Sequence, residues 1–81
     1  MSAAPKRPFI VFAFETTHDA LEAESALKRQ GVYADPIPAP ADISANCGIA
    51  LRLEPAVEGE AESILHEAGI GVSARLRIQD V

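Results

Sequence analysis

The sequence predicts an α+β fold, a ferredoxin-like βαββαβ sandwich whose four-stranded antiparallel sheet carries two helices on one face. Two observations predict it. The apolar segments follow the order strand, helix, strand, strand, helix, strand, which makes two strand-helix-strand halves. The run Glu22-Ala23-Glu24-Ser25 also recurs as Glu60-Ala61-Glu62-Ser63, about 38 residues later. Two related halves would explain this recurrence, although two helices rich in alanine and glutamate can also resemble one another by chance.

The first half follows a leader, residues 1–8, that contains two prolines and shows no periodicity. Phe9–Phe14 is a short run of aromatic and β-branched residues, typical of a central strand. A helix is expected from about Thr17 to Gln30, because a threonine can cap its start and Gly31 can end it. Tyr33–Pro38 is a weaker strand, and its prolines predict a place at the edge of the sheet.

The second half contains the remaining three elements. Gly48–Leu53 alternates apolar residues with Ala and Arg, so one face of this strand is expected to look toward the core. Pro55 suits the first turn of a second amphipathic helix that ends before Gly69. Val72–Ile78 alternates in the same manner and predicts the closing strand.

Length and composition predict a single domain over residues 9–81. A hydrophobic fraction of 48% is too high for a disordered segment of this charge. One cysteine excludes an internal disulfide framework and suits a reducing cytoplasm. The first apolar run is too short for a signal core or a membrane span. The formal net charge of −5 argues against nucleic acid and anionic membranes as partners, which leaves a protein or a small molecule.

The single cysteine, Cys47, stands at a strand entrance, where a thiol is expected to be exposed. In the predicted topology the loop that carries Cys47 lies at the same end of the sheet as the start of the first helix. Backbone amides near Thr16 and Thr17, together with an imidazolium at His18, would favour the thiolate form of a cysteine there.

The two neighbours of Cys47 also suit a reactive thiol. Asn46 can donate a hydrogen bond to sulfur, and Gly48 has no side chain to crowd an approaching reagent. The alternative is a structural cysteine, since free cysteines often fill a core as small hydrophobic residues. His18 has a comparable alternative as a solvated residue of the first helical turn.

No cofactor and no metal site is expected. Cys47 with His18 or His66 offers too few ligands, since copper and zinc modules of this fold normally supply paired cysteines.

The sheet face opposite the helices is expected to be both apolar and basic. The predicted set is Phe9, Val11, Ala13, Arg52, Arg75 and Arg77. A single aromatic residue is too few to stack RNA bases, so this face is predicted to be solvated or to pair with a protein, including a second copy of the chain in a homodimer.

Three runs carry a resemblance to a known family. They are Phe12-Ala13-Phe14-Glu15, then Thr16-Thr17-His18-Asp19-Ala20-Leu21-x-Ala23-Glu24, then Pro38-x-Pro40-x-x-x-Ser44-x-x-Cys47-Gly48-Ile49-Ala50-Leu51. Together they resemble small bacterial proteins described as putative selenium/sulfur (Se/S) carrier-like. The resemblance covers nearly all of the chain after the leader. It implies that Cys47 holds a persulfide or a selenide between a donor protein and an acceptor protein.

Under this hypothesis the chain is a carrier and not a turnover enzyme. Cys47 is its nucleophile, Thr16 and Thr17 stabilise the anion, and His18 tunes the thiol or shuttles a proton. Disulfide cycling within one chain is excluded, because no second cysteine is present to resolve it. The competing hypothesis is a small binding or regulatory module of the same fold with a structural cysteine.

Overall fold

A computed structural model describes residues 8–39 and 48–79, and these residues form the predicted ferredoxin-like sandwich. In chain order the elements are β1 (Pro8–Ala13), α1 (Thr17–Arg29), β2 (Asp35–Pro38), β3 (Ile49–Leu53), a 3-10 turn (Pro55–Val57), α2 (Glu58–Glu67) and β4 (Ala74–Gln79). The strand order across the sheet is β2-β3-β1-β4, and every neighbouring pair is antiparallel. The predicted leader lies outside the described residues except for Pro8, which begins β1.

The central strand β1 is covered on both of its faces, as the apolar run predicted. Its residues Ile10 and Phe12 face α1 and α2 and join the larger core. The alternate residues Val11 and Ala13 are fully buried on the opposite face, where they pack with Ala50 of β3. Alternation along one strand therefore supplies both apolar clusters.

The two helices pack on the sheet through small and medium side chains. In α1 the buried residues are Ala20, Ala23, Ala26 and Leu27. In α2 they are Ala61 and Leu65. Alanine at these positions lets a helix backbone approach the sheet closely, which suits a chain too short for a thick core. No helix in the described ranges is both long and apolar enough to cross a membrane.

Both helices end in the same way, with a leucine four residues before a glycine. The Val32 amide donates to the Leu27 carbonyl at 2.9 Å, and the Ile70 amide donates to the Leu65 carbonyl at 2.9 Å. Each bond spans a glycine with a positive φ angle of 75–79°. This is a helix end that glycine favours, since other residues meet a steric penalty in that conformation.

β2 and β4 each begin two residues later than the sequence predicts, and β3 begins one residue later, at Ile49. β2 starts at Asp35 and not at Tyr33, because the residues directly after Gly31 complete the helix cap and Tyr33 is 76% exposed. β4 starts at Ala74 and not at Val72, since Val72 packs against the helix-side core before the ladder begins.

The prediction for the face opposite the helices is wrong for two of its arginines. Arg75 pairs with Phe12 and Arg77 pairs with Ile10, so both lie on the helix side of the sheet. The other face instead carries Leu76 and Ile78 of β4. We define the helix-free face by its strand residues, which are Phe9, Val11, Ala13, Asp35, Ile37, Ala50, Arg52, Ala74, Leu76 and Ile78.

Two leucines of α1 provide a matched test of this packing. Leu27 is fully buried and Leu21 is 55% exposed. We expect Leu27→Ala to lower the free energy of unfolding by about 2–5 kcal/mol, through lost burial and a new cavity. Leu21→Ala should change it by less than about 0.5 kcal/mol. Urea denaturation followed by circular dichroism measures both, and equal losses would contradict the assigned helix orientation.

Candidate functional site

The ends of three strands meet at one end of the sheet, and this end carries most of the predicted site residues. Ala13, the last residue of β1, pairs with Ala50 on one side and with Ala74 on the other. Two residues beyond these positions lie Glu15, which leads into α1, and Gly48, which leads into β3. The start of α1 and the residue that precedes β3 therefore lie at the same end of the sheet, as the predicted topology required.

The amino end of α1 is formed by a threonine cap. The Thr16 side-chain oxygen Oγ1 accepts a hydrogen bond from the Asp19 amide at 3.0 Å. The Thr16 carbonyl accepts one from the Ala20 amide at 3.1 Å, the first bond of the helix. The amides of Thr17 and His18 have no acceptor within the helix, as expected for the first turn. These two amides, and not the hydroxyl of Thr16, are what α1 can offer to an anion.

Both histidines are exposed. His18 lies in the first turn of α1, beside the amides that have no acceptor within the helix. His66 lies in the last turn of α2, where it lines a shallow groove with Glu62 and Arg75. Its side chain is therefore part of the α2–β4 surface.

Gly48 closes the segment that connects β2 with β3. Its carbonyl accepts a hydrogen bond from the Ala39 amide at 3.0 Å, so the two described residues that flank positions 40–47 are held together. Its φ angle is +74°, a conformation that side-chain-bearing residues rarely adopt. Among the described residues, and apart from its own chain neighbours, no heavy atom lies within 4 Å of a Cβ atom placed on Gly48. The backbone conformation, and not lack of space, is therefore the reason for glycine here.

Cys47 and Asn46 lie in residues 40–47, outside the described residues. The exposure of the thiol and the role of the amide stay predictions from the sequence. Gly48, which is directly bonded to Cys47, is exposed.

The sequence did not predict two clusters of charged side chains, each centred on an arginine. The Arg75 guanidinium contacts the carboxylates of Glu62 and Glu58 on α2, the second at 3.8 Å, and lies 5.5 Å from the ring centre of Phe12. Its guanidinium thereby lies between α2 and the ring of the buried Phe12. The spacing of the two glutamates, four residues apart on one helix face, was the available signal.

The second cluster lies on the helix-free face. Arg52 pairs with Asp35 of the neighbouring strand at 2.9 Å and lies 4.7 Å from the ring centre of Phe9. Finding it required the register between β2 and β3, which the sequence alone does not provide. Both side chains are partly exposed, so this pair contributes little to stability.

A metal site finds no support among residues 8–39 and 48–79. Within those ranges there is no group of three or more histidine, cysteine, aspartate or glutamate side chains arranged to hold an ion.

Comparison with known proteins identifies the family. Residues 9–76 match the family described as "Putative Se/S carrier protein-like". The chain belongs to this family. The match spans every described element from β1 to the first half of β4, so the Se/S carrier-like family and the ferredoxin-like sandwich coincide in this chain. Searches of curated proteins and of solved structures each returned no match.

Two glycines test the backbone argument with the same substitution. Gly48→Ala should lower the free energy of unfolding by about 1 kcal/mol, because alanine disfavours the left-handed conformation. Gly59 lies inside α2 without a positive φ angle, and a Cβ atom there also meets no neighbour within 4 Å. Gly59→Ala should therefore raise stability by up to about 1 kcal/mol. Changes of the same sign, measured by urea denaturation, would contradict the conformation of Gly48.

Two threonines test the cap. Thr16→Ala removes the acceptor of the Asp19 amide and should cost about 0.5–2 kcal/mol of unfolding free energy. Thr17→Ala removes an exposed hydroxyl from the first helical position and should cost less than about 0.5 kcal/mol. Thermal unfolding of the two variants measures the difference, and a larger loss for Thr17→Ala would show that the cap is assigned to the wrong residue.

Proposed function

We propose that this protein is a sulfur or selenium carrier that holds its cargo on Cys47 and passes it between two protein partners. The match of residues 9–76 to the Se/S carrier-like family supports this function most strongly. The chain has one cysteine, so it has one candidate for the cargo-bearing atom. A reducing compartment such as the cytoplasm would keep that thiol available.

The transfer needs two displacement steps and no external oxidant. The Cys47 thiolate attacks the outer sulfur of a persulfide on the donor protein, a new S–S bond forms, and the donor cysteine leaves as a thiolate. A thiolate of the acceptor then attacks the outer sulfur of the Cys47 persulfide, and Cys47 leaves as a thiolate. Sulfur changes carrier without a net change in oxidation state. Selenium follows the same two steps when it occupies the outer position.

Two features of the described residues favour an anion at this end of the sheet, and a third gives access to it. The amides of Thr17 and His18 have no acceptor within α1, and the helix dipole adds positive potential at the same end. Gly48 next to Cys47 is exposed, and the space around its Cα is open. A reagent as large as another protein's cysteine loop needs such space. His18 is assigned the role of tuning the thiol or moving its proton.

Persulfide loading tests the proposal directly. A purified cysteine desulfurase charged with radioactive cysteine serves as the donor, and the transferred label is measured after removal of free sulfide. We expect label on the native chain, released by a reducing agent, and none on Cys47→Ser. Circular dichroism confirms that Cys47→Ser is folded. A folded native chain that never accepts label, or a Cys47→Ser variant that still accepts it, would leave the binding-module hypothesis as the better explanation.

Alkylation by iodoacetamide tests the state of the thiol. The native rate should reach half of its maximum at a pH below about 8.5, the ordinary value of a free thiol, whereas the urea-unfolded chain should follow the ordinary value. Labelling that occurs only after unfolding would make Cys47 a structural residue.

The two histidines supply a matched pair for the role of His18. Because an ionic or dipolar interaction at a helix end contributes about 0.3–1 kcal/mol, His18→Gln should slow alkylation at neutral pH by about two- to fivefold. His66→Gln, at the end of α2, should leave the rate unchanged. Equal effects of the two substitutions would remove His18 from the site.

A further inference from the structure

The sheet has two edge strands, and they differ in how they meet a potential partner strand. β2 forms one edge and β4 the other. β2 contains Pro36 and Pro38, whereas β4 contains no proline. An edge strand exposes unpaired amides and carbonyls, to which another extended chain can bind unless something blocks it.

The edge at β2 is blocked. In an antiparallel ladder successive residues direct their amide and carbonyl groups alternately to the two sides. The Ala39 amide bonds to the Gly48 carbonyl, toward β3. By alternation the amide and carbonyl of Ile37 also point to β3, and the backbone groups of Pro36 and Pro38 point outward from the sheet. The outward positions of β2 are therefore those that lack an amide hydrogen.

The same alternation, carried across the register, shows which residues of β4 face outward. Ile37 pairs with Ala50, so the backbone amide and carbonyl of Ala50 point to β2 and those of the next residue, Leu51, point to β1. Leu51 pairs with Phe12, so the backbone groups of Phe12 point to β3. The amides and carbonyls of Val11 and Ala13 must then point to β4. The Ser73 amide donates to the Ala13 carbonyl at 2.9 Å, which agrees with that direction.

The outward backbone groups of β4 therefore belong to Arg75 and Arg77. Val11 pairs with Leu76 and Ala13 pairs with Ala74, so those two residues of β4 bond inward. Among residues 8–39 and 48–79 the outward amides and carbonyls of Arg75 and Arg77 have no partner strand, which leaves them for a further strand. No proline interrupts them.

The two arginine side chains are not equivalent. The Arg75 guanidinium is occupied by Glu58 and Glu62. Arg77 is exposed and has no ion pair among the described residues. A strand bound at this edge would place one side chain directly opposite Arg77, and a carboxylate there would pair with a free guanidinium.

A second copy of the chain fits this edge poorly. Two β4 strands that pair antiparallel over their length, with like faces aligned, place Arg77 opposite either Arg75 or Arg77 of the other copy. Like charges directly opposite one another destabilise strand pairing. The arginines therefore protect the edge against self-association while they leave it open to an acidic strand.

We propose that β4 is a docking edge for an extended segment of a partner protein that alternates apolar and polar residues and carries an acidic residue opposite Arg77. The segment forms ladder hydrogen bonds with Arg75 and Arg77, and its apolar side chains extend the helix-free face beside Leu76 and Ile78. This interaction does not require Cys47, so it stands or falls independently of sulfur transfer.

A labelled peptide tests the docking edge in the full chain. The probe is Thr-Val-Glu-Val-Thr-Val-Thr with a fluorescent group at its amino end, and fluorescence anisotropy reports binding up to about 1 mM, the weak end of specific affinity. A second probe has lysine in place of glutamate. We expect the glutamate probe to bind more tightly. On binding, the Arg75 and Arg77 amides should exchange more slowly with deuterium, as measured by NMR.

Substitutions separate the side chain from the backbone. Arg77→Gln should weaken binding by about three- to tenfold, whereas Arg29→Gln, which makes the same charge change on exposed α1 surface, should leave it within about twofold. Arg77→Pro should abolish binding, because it removes an outward amide without removing an inward ladder bond. A glutamate probe N-methylated at alternate residues provides the same backbone test without changing the protein.

Four outcomes would overturn the proposal. They are no binding of the glutamate probe, equal binding of the lysine probe, equal effects of Arg77→Gln and Arg29→Gln, and undiminished binding of the N-methylated probe. Sedimentation of the chain alone covers the remaining occupant. A dimer that dissociates in Arg77→Pro would assign this edge to a second copy of the chain.

Discussion

The register of β1 is the constraint on which the rest of the structure depends. This strand lies between β3 and β4 and supplies buried residues to both faces of the sheet. A shift by one residue would move Phe12 to the helix-free face and Val11 to the helix side. The large aromatic side chain would then lose the contacts with α1 and α2. The same register decides that the strand ends meet at Ala13. It also decides that the backbone amides and carbonyls of Arg75 and Arg77 point outward from β4.

The candidate site inherits its geometry from that strand. Because β1 ends where β3 begins, the first turn of α1 and the glycine next to Cys47 lie at the same end of the sheet. Neither feature is specialised alone, since capped helices and left-handed glycines occur in many folds. They meet at one end of the sheet, and the glycine is next in sequence to the single cysteine, which is why the proposed function places its chemistry here. The Ala39–Gly48 hydrogen bond fixes the two points between which the cysteine-bearing segment runs.

Local signals predicted the elements well, whereas relations between distant residues were harder to predict. The threonine cap and the two glycine helix ends follow from short-range rules, and the structure confirms them. The face of Arg75 and Arg77 depends on which residues of β4 oppose β1, and alternation alone is compatible with either face. The prediction assumed that the apolar residues of β4 face the helices. In the structure they face away, where Leu76 and Ile78 pack against the buried cluster of Val11, Ala13 and Ala50. Arg75 is then left on the helix side, where it reaches Glu58 and Glu62 on α2.

Charge distribution relates the two proposals without making either depend on the other. Residues 54–68 contain five glutamates and no lysine or arginine, and two of these glutamates, Glu58 and Glu62, pair with Arg75 beside β4. An acidic residue bound at β4 therefore has Arg77, and not Arg75, as its available partner, and β4 begins at the same end of the sheet as the candidate site. With about 4.8 Å between neighbouring strands, a segment bound beside β4 would lie about 14 Å across the sheet from β3. Under the proposed function, a loop of ordinary length on a partner held there can span that distance to the start of β3, beside Gly48.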